Sequence, residues 1–226
     1  FCTFFSLQKI ILSHLEKNTL FKSMEYIHEE RNVLPKTFCQ ELIEKFESDS
    51  RKVEGLTSDG IVSKIKKRTD LSIEQITGWK LERNHLDKAF RTTLSKYKTN
   101  LKLNVFGKDN LHIVDRLFNK PAIVRTGFLM GRYDVGGHFN WHIDYVHTED
   151  RICNFIIYLN DHEASTEFLN GKKIKPEAGK ILFFPTTWTH AHRGQTIEKG
   201  NKYIISGFIY YLKELTQSLP FTVTYD

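Results

Sequence analysis

The chain has 226 residues, 40% of them hydrophobic and 13% aromatic, which is enough to bury one good core. Its formal net charge of +6 permits an acidic partner such as nucleic acid, although a modest excess of lysine is also ordinary for a solvated surface. Three cysteines without a Cys-x-x-Cys pair argue against a disulfide framework or a zinc ribbon, and we expect a reducing, cytoplasmic location. No run of eighteen apolar residues is present, so we expect no membrane-spanning helix.

The N-terminal part of the chain predicts an extension followed by two helices. We expect residues 1–23, which precede Met24, to be an N-terminal extension, with a docking helix as the alternative. Pro35 suits a first helical turn, and the apolar residues after it recur at helical spacing, which predicts a helix over about 35–48. A second helix is predicted with Asn84 as its N-cap. The apolar stripe of this second helix comprises Leu86, Ala89, Phe90, Leu94 and Tyr97.

Between these helices lies a basic stretch, residues 62–73, whose hydrophobic alternation is poor. We predict that it forms a solvated strand and loop. Contact with nucleic acid through the run of residues 64–68 is the alternative interpretation.

From Pro121 onward, short apolar runs are separated by Gly, Asn, Asp and Pro, which predicts β-strands. Asn170-Gly171 predicts a two-residue hairpin turn, because both central positions of that turn need a positive φ. Several strands at this spacing indicate a sandwich or a barrel. The predicted strands cover residues 122–129, 153–159, 167–174, 180–184 and 203–212.

A short motif, His142-Ile143-Asp144, follows the start of this strand-rich region. In an extended strand, residues i and i+2 point to the same face, so the imidazole and the carboxylate can reach one ion. The pair supplies two of the three ligands in the two-His-one-carboxylate triad that suits non-haem Fe(II). Taken alone, the motif has a more ordinary interpretation as a polar strand end.

Two downstream residues change that interpretation. His192 follows Asp144 by 48 residues, and Lys202 follows His192 by ten. With this spacing the chain resembles the Fe(II)/2-oxoglutarate-dependent dioxygenases, and among them the prolyl 4-hydroxylase-like branch. The resemblance spans roughly residues 121–212, with two departures from the family pattern, at residues 164–168 and at Thr196-Ile197. Further matches, in the family's order, are Tyr133, Gly136, Gly137, the segments 151–161 and 176–185, and Gly200.

The resemblance implies a mainly β fold with flanking α-helices, built on a double-stranded β-helix, which is a cupin-like jelly-roll. We expect one domain over residues 24–226, with a helical N-terminal part to about 105 and a jelly-roll core over about 106–212. The implied cofactors are Fe(II), the cosubstrate 2-oxoglutarate and O₂, with ascorbate as a possible addition. The implied reaction hydroxylates an unactivated C–H bond and releases succinate and CO₂.

The resemblance also implies roles for particular residues. His142, Asp144 and His192 are the expected metal ligands. His190 competes with His192 for the third position, and the ten-residue spacing to Lys202 favours His192.

The cosubstrate would contact three other residues. Lys202 is expected to hold the 5-carboxylate of 2-oxoglutarate through a charge-assisted hydrogen bond. Tyr133 either shares that carboxylate or is a core aromatic residue. Asn154 is expected to hydrogen-bond the cosubstrate.

The substrate stays open: the family suggests a prolyl or other amino-acid residue, in a peptide, in a free amino acid or in another organic molecule. Three aromatic residues near the metal motifs could line a substrate groove or pack in the core, namely Trp141, Tyr145 and Trp188. The alternative functions are a non-oxidising metal-binding jelly-roll, a nucleic-acid-binding module, and a dioxygenase of nucleobases. A zinc hydrolase would leave Lys202 unexplained.

Overall fold

The computed structural model describes the chain from residue 26, and the extension predicted over residues 1–23 therefore lies outside the described residues. Among the described helices, none combines the length with the apolar composition that a membrane crossing requires. The described segments are residues 26–57, 60–118, 123–146, 148–211 and 222–225.

Within the described part of the chain, three α-helices precede the strand-rich half. Helix α1, Lys36–Ser48, buries Cys39, Leu42 and Phe46 on one face, which confirms the helix predicted from apolar spacing. Helix α2 covers Lys80–Asn100 and the short helix α3 covers Leu111–Phe118.

The predicted start of α2 at Asn84 is wrong, because the helix begins one turn earlier, at Lys80. A 3₁₀ turn over Thr77–Trp79 leads into it, and the Trp79 indole is buried and donates a hydrogen bond of 2.9 Å to Asp49. The start is thus fixed by a tertiary contact rather than by a polar N-cap side chain, which leaves no capping signal in the sequence.

Among the described residues, nine strands form the larger of two antiparallel sheets, which we call the major sheet. Its spatial order is β1-β11-β8-β13-β6-β4-β2, with β5 paired to β13 and to β14. The strands are β1 His28–Glu30, β2 Val53–Glu54, β4 Thr69–Ser72, β5 Ile123–Thr126, β6 Leu129–Tyr133, β8 Arg151–Tyr158, β11 Ile181–Pro185, β13 Lys202–Tyr211 and β14 Thr222–Tyr225.

The minor sheet faces the major sheet and has the order β10-β9-β12-β7-β3. The two sheets form the predicted jelly-roll, a mainly β fold with flanking helices. The strands of the minor sheet are β3 Lys66–Lys67, β7 His138–His142, β9 Thr166–Phe168, β10 Lys173–Ile174 and β12 His192–Gly194.

Strand β8 divides its side chains between two hydrophobic layers. Phe155 packs against Phe90 of α2, with ring centroids 4.8 Å apart, in the layer between the helices and the major sheet. Ile156 and Tyr158 point the other way, into the layer between the two sheets. This alternation follows from the two-residue period of a strand. The second layer encloses the polar side chains described below.

Each of the five predicted segments contains strand residues, but the predicted number of strands is too small, because β7 and β12, which carry His142 and His192, were not predicted. The strand predicted over 122–129 is two strands, β5 and β6. The hairpin at Asn170-Gly171 exists, joining β9 to β10, but its turn is not the predicted two-residue type. Only Gly171 of the pair has a positive φ, +88°, and the Phe168 amide donates to the Lys172 carbonyl across a longer loop.

The prediction of a solvated strand and loop over 62–73 is wrong. Strand β3 joins the minor sheet and β4 joins the major sheet, so this segment links the two layers at one end of the jelly-roll. Lys66, Arg68 and Asp70 are buried. The basic run is therefore not a solvated face for nucleic acid, although Lys64 and Lys67 are exposed.

Replacing Gly179 by alanine should destabilise the fold strongly, because Gly179 has φ +80° and an added Cβ would lie 2.1 Å from the Leu34 carbonyl oxygen. We expect a loss of about 3 kcal/mol or more in the free energy of unfolding by urea. Gly171→Ala is the matched control, since Gly171 has φ +88° and open space around it, and should cost about 1 kcal/mol. Equal losses in the two variants would contradict the close contact.

Candidate metal centre and ligand pocket

The three side chains predicted as metal ligands lie together where β7 meets β12. His142 is the last residue of β7 and His192 is the first residue of β12, and the two are direct partners in the strand pairing. Asp144 lies two residues beyond His142 and is buried. Strand pairing therefore brings the distal histidine to the His-x-Asp motif.

The spacing of the donor atoms suits one ion. Nε2 of His142 lies 3.6 Å from Oδ1 of Asp144, and Nε2 of His192 lies 3.5 Å from Oδ2 of Asp144. One ligand atom from each of the three residues lies within 4.8 Å of the others. Two imidazoles and one carboxylate form the donor set that binds non-haem Fe(II) and leaves other coordination positions open.

Hydrogen bonds hold the donors in this orientation. Nδ1 of His142 lies 2.7 Å from the Asn140 carbonyl oxygen, and Nδ1 of His192 lies 3.1 Å from the His190 carbonyl oxygen. Each Nδ1 therefore carries the ring hydrogen, which leaves the Nε2 lone pair for a metal.

The carboxylate is oriented from the major sheet. The Asn154 side-chain amide donates to Oδ2 of Asp144. The Arg151 guanidinium donates to the Asp144 backbone carbonyl at 3.1 Å. The sequence predicted that Asn154 would hydrogen-bond a cosubstrate. In the structure its side-chain amide donates instead to the carboxylate of Asp144.

Aromatic rings exclude water from the histidines. Phe139 stacks on His142 with ring centroids 3.5 Å apart, and Phe168 and Phe184 pack around His192. Burial lowers the pKa of His142 to about 4, with a further contribution from His192, while Asp144 opposes the shift. His142 is therefore neutral near pH 7, and neutral imidazole is the form that coordinates a metal.

His190 lies outside this donor cluster. It ends the 3₁₀ turn Trp188–His190, and its Nδ1 lies 2.9 Å from the Thr189 hydroxyl. Its ring packs edge-on against Tyr26. The contribution of His190 is its backbone carbonyl, which orients the ring of His192.

The second predicted site lies on the inner face of the major sheet. Lys202 begins β13 and is paired with Tyr133 at the end of β6. The Lys202 ammonium is 2% exposed, lies 5.1 Å from the centre of the Tyr133 ring, and donates to the Ala164 carbonyl at 3.1 Å. Burial, and secondarily Arg68, lower the pKa of Lys202 to about 8. Among the described residues no carboxylate lies within ion-pair distance of this ammonium.

Sequence reasoning missed Arg68, which lies beside this lysine. The guanidinium pairs with Asp70 at 2.5 Å and donates to the Tyr133 hydroxyl at 3.2 Å. Lys66 also pairs with Asp70, at 3.1 Å. The two-residue alternation of Lys66, Arg68 and Asp70 was a usable signal, because it places all three on one face of an extended chain.

The aromatic residues near the metal motifs are at the surface rather than in the core. Trp188 is 77% exposed, Tyr145 is 48% exposed and Trp141 is 43% exposed. The Arg193 guanidinium lies over the Trp141 ring, 5.0 Å from its centre. Trp141 and Tyr145 are chain neighbours of His142 and Asp144. The two-residue period of β7 turns the Trp141 side chain to the face opposite that of His142.

Comparison with protein families finds one match. Residues 128–210 match the family described as the 2OG-Fe(II) oxygenase superfamily. This segment contains the histidine pair, Asp144, Tyr133 and Lys202, but not Arg68. No curated protein matches the chain in sequence.

Several solved structures share the fold at low sequence identity. A viral collagen prolyl hydroxylase from Paramecium Bursaria Chlorella virus-1, in a 2OG complex, is 18% identical, with TM-score 0.55, over 84% of this chain and 97% of that chain. A prolyl hydroxylase from Trichoplax adhaerens, in complex with a hypoxia inducible factor peptide fragment, is 15% identical, with TM-score 0.61, over 88% of this chain and 92% of that one. A Pseudomonas putida prolyl-4-hydroxylase is 12% identical, with TM-score 0.56, over 81% and 92% respectively.

Removing any of the three donors should abolish tight metal binding while the protein stays folded. In anaerobic calorimetric titrations with Fe(II), we expect His142→Ala, Asp144→Ala and His192→Ala each to weaken binding by roughly 100-fold or more, since loss of an outer-shell partner alone costs 10–100-fold. His190→Ala is the control and should bind Fe(II) like the wild type. If His192→Ala retained Fe(II) affinity and His190→Ala lost it, the third ligand would be His190 and not His192.

Proposed function

Because residues 128–210 match the 2OG-Fe(II) oxygenase superfamily, we infer that the chain is an Fe(II)- and 2-oxoglutarate-dependent hydroxylase. The observation that carries this inference is that two features occur together in the interior between the two sheets. One is the cluster of two histidines and one aspartate. The other is a buried ammonium, Lys202, whose described hydrogen-bond acceptor is a neutral carbonyl.

The residues present fit both groups. His142, Asp144 and His192 would hold Fe(II) through Nε2, carboxylate oxygen and Nε2. Lys202 would pair with the 5-carboxylate of 2-oxoglutarate, and the Tyr133 hydroxyl lies on the same face to share it. When bound, iron and 2-oxoglutarate supply the oxidising chemistry: O₂ is consumed, 2-oxoglutarate becomes succinate and CO₂, and a C–H bond is hydroxylated.

A glycine faces Lys202 across the gap between the two sheets. The strand opposite carries Gly194, and a Cβ placed there would lie 3.9 Å from the Lys202 ammonium and 3.8 Å from Phe139. A glycine at this position keeps the gap between the two sheets open. A larger side chain would fill the room that the distal half of the cosubstrate requires.

The chain's own contribution is orientation and exclusion of water. Asn154 and the two backbone carbonyls fix the donor atoms before a metal arrives. Phe139 and Phe184 cover the histidines on their inner sides. A buried ammonium aimed at one end of a small acid fixes which end faces the metal. Pre-organisation of this kind lowers the entropy cost of reaching the reactive geometry.

For the substrate, we propose a prolyl residue in a peptide. The fold relatives include two prolyl hydroxylases and a collagen prolyl hydroxylase, one of them crystallised with a peptide fragment. The exposed rings of Trp141, Tyr145 and Trp188 offer flat apolar surfaces on which a peptide could lie. A free amino acid or another organic molecule is the competing substrate class.

Other interpretations of the sequence have less support. Nucleic-acid binding relied on the basic run, and two of its members, Lys66 and Arg68, point inward. A metal-binding protein that catalyses no oxidation would not explain why the Lys202 ammonium is buried without a carboxylate partner among the described residues. A cytoplasmic location stays a prediction, supported by the free, buried thiols of Cys39 and Cys153.

The hydroxylase proposal is tested by product formation. With Fe(II), O₂ and 2-oxoglutarate, the protein should form succinate, and a panel of proline-containing peptides should include one that gains one oxygen atom by mass spectrometry. Succinate should rise in step with that gain. Asp144→Ala is the matched inactive control. Absence of succinate with every substrate, under conditions where Fe(II) is bound, would overturn the proposal.

Lys202→Ala should weaken 2-oxoglutarate binding without weakening Fe(II) binding, because it leaves a buried carboxylate without its partner. Loss of one member of a buried charge pair costs about 2 to 5 kcal/mol, so we expect the apparent Kd to rise by roughly 30-fold or more. Lys202→Arg should retain part of the affinity, since a guanidinium still reaches a carboxylate. The measurement is anaerobic calorimetry with both ligands. Equal 2-oxoglutarate affinity in all three proteins would contradict the assigned role.

A further inference from the structure

The interior between the two sheets carries an imbalance of buried charge. Lys66, Arg68 and Lys202 are all buried, and among the described residues the carboxylate paired with this group is Asp70. Asp144, the other buried aspartate nearby, belongs to the donor cluster. Buried charges that lack partners are costly, so this arrangement favours an anionic ligand.

Strand pairing places Arg68 in one row with the proposed cosubstrate residues. Asp70 pairs with Gly131 and Tyr133 pairs with Lys202, so Arg68, two residues before Asp70, reaches the level of Tyr133 on the same face. The centre of its guanidinium lies 5.5 Å from the centre of the Tyr133 ring. The row on the interior face therefore reads Arg68, Tyr133, Lys202.

The guanidinium is held rigidly in this row. It crosses directly over Gly131, where a Cβ would lie 2.9 Å from the guanidinium carbon. Asp70 binds one edge of the guanidinium, and the Tyr133 hydroxyl accepts from another edge at 3.2 Å. A longer contact of 3.5 Å runs to the Ser206 hydroxyl. A fixed cation of this kind can orient its neighbours.

We propose that Arg68 is a positioning residue for the distal carboxylate of the cosubstrate, holding the Tyr133 hydroxyl as a donor and adding a second positive charge beside Lys202. This inference rests on the proposed function, and it adds a residue outside the segment that matches the family. Its consequence is selectivity: the site should favour 2-oxo acids that carry a second carboxylate over those that do not.

The hydrogen-bonding capacity of the Tyr133 hydroxyl explains how Arg68 could position it. The phenol has one hydrogen to give and accepts through its oxygen lone pairs. The Arg68 N–H occupies a lone pair of the Tyr133 oxygen, so the phenol hydrogen stays available for an acceptor placed between Tyr133 and Lys202. A carboxylate placed there would meet the ammonium, the phenol hydrogen and the field of the guanidinium together.

The test compares 2-oxoglutarate with 2-oxobutanoate, which has the same 2-oxo acid head but no distal carboxylate. Both are titrated anaerobically into the Fe(II)-loaded protein by calorimetry. We expect Arg68→Gln to weaken 2-oxoglutarate binding by roughly tenfold or more, while the affinities for 2-oxobutanoate and for Fe(II) stay within about twofold. Arg68→Lys keeps the positive charge but loses the planar guanidinium. Its affinity for 2-oxoglutarate should therefore lie between those of Arg68→Gln and the wild type.

A double-mutant cycle tests the link through Tyr133. Tyr133→Phe should also weaken 2-oxoglutarate binding selectively, and the double variant should lose less than the product of the two single losses, because both act on one hydroxyl. Independent, multiplicative losses would overturn the positioning role. Arg68→Lys and the Tyr133→Phe single variant keep the test valid if Arg68→Gln fails to fold.

Arg125→Gln is the matched structural control. Arg125 is 2% exposed and pairs with Glu74 and Asp87 on the helix-facing side of the sheet. It should lower stability without changing either ligand affinity. Equal losses for 2-oxoglutarate and 2-oxobutanoate in Arg68→Gln, or no loss for either, would overturn the inference while leaving the hydroxylase proposal intact. Absence of 2-oxoglutarate binding in the wild type would overturn both.

Discussion

The register of two antiparallel strand pairs determines the whole site. β12 pairs with β7 so that His192 faces His142, and β13 pairs with β6 so that Lys202 faces Tyr133. A shift of one residue in either pair would turn a functional side chain to the opposite face of its sheet. The apolar residues that alternate with these side chains enforce the register, because the same shift would expose them. Core packing and site geometry are thus specified together.

Burial gives the polar side chains their chemical character. It is the main reason why the pKa of His142 falls to about 4, and why the pKa values of Lys202 and Lys66 fall to about 8. The first shift keeps an imidazole neutral for a metal. The shifts of the lysines express the cost of ammonium groups in a dry interior beside Arg68, and an anionic ligand would relieve that cost. A single feature, enclosure between two sheets, therefore prepares both halves of the site.

Much of this could be predicted from the sequence, because the signals were local. Apolar spacing identified α1, and short apolar runs identified about half of the described strands, among them β8, β11 and β13. The donor cluster was found from a His-x-Asp pair and two later residues at fixed spacing, without knowledge of which strands pair. The start of α2 was missed because the Trp79 contact to Asp49 joins residues far apart in the chain.

The burial of Arg68 could not be predicted from the sequence. A lysine- and arginine-rich segment is normally solvated, and only its pairing with both sheets turns Lys66 and Arg68 inward. The hydrogen bond from Asn154 to Asp144 likewise depends on the tertiary fold, which places the Asp144 carboxylate opposite the Asn154 amide. Composition could not distinguish a basic surface from a buried cationic row; the strand topology does so.

The most direct test is a crystal structure of the protein grown anaerobically with Fe(II) and 2-oxoglutarate, with anomalous scattering recorded at the iron edge. We expect one iron ion, bonded to His142, Asp144 and His192. The distal carboxylate of 2-oxoglutarate should lie within hydrogen-bond distance of the Lys202 ammonium and the Tyr133 hydroxyl. Iron bound through other residues, or 2-oxoglutarate bound away from Lys202, would contradict this expectation.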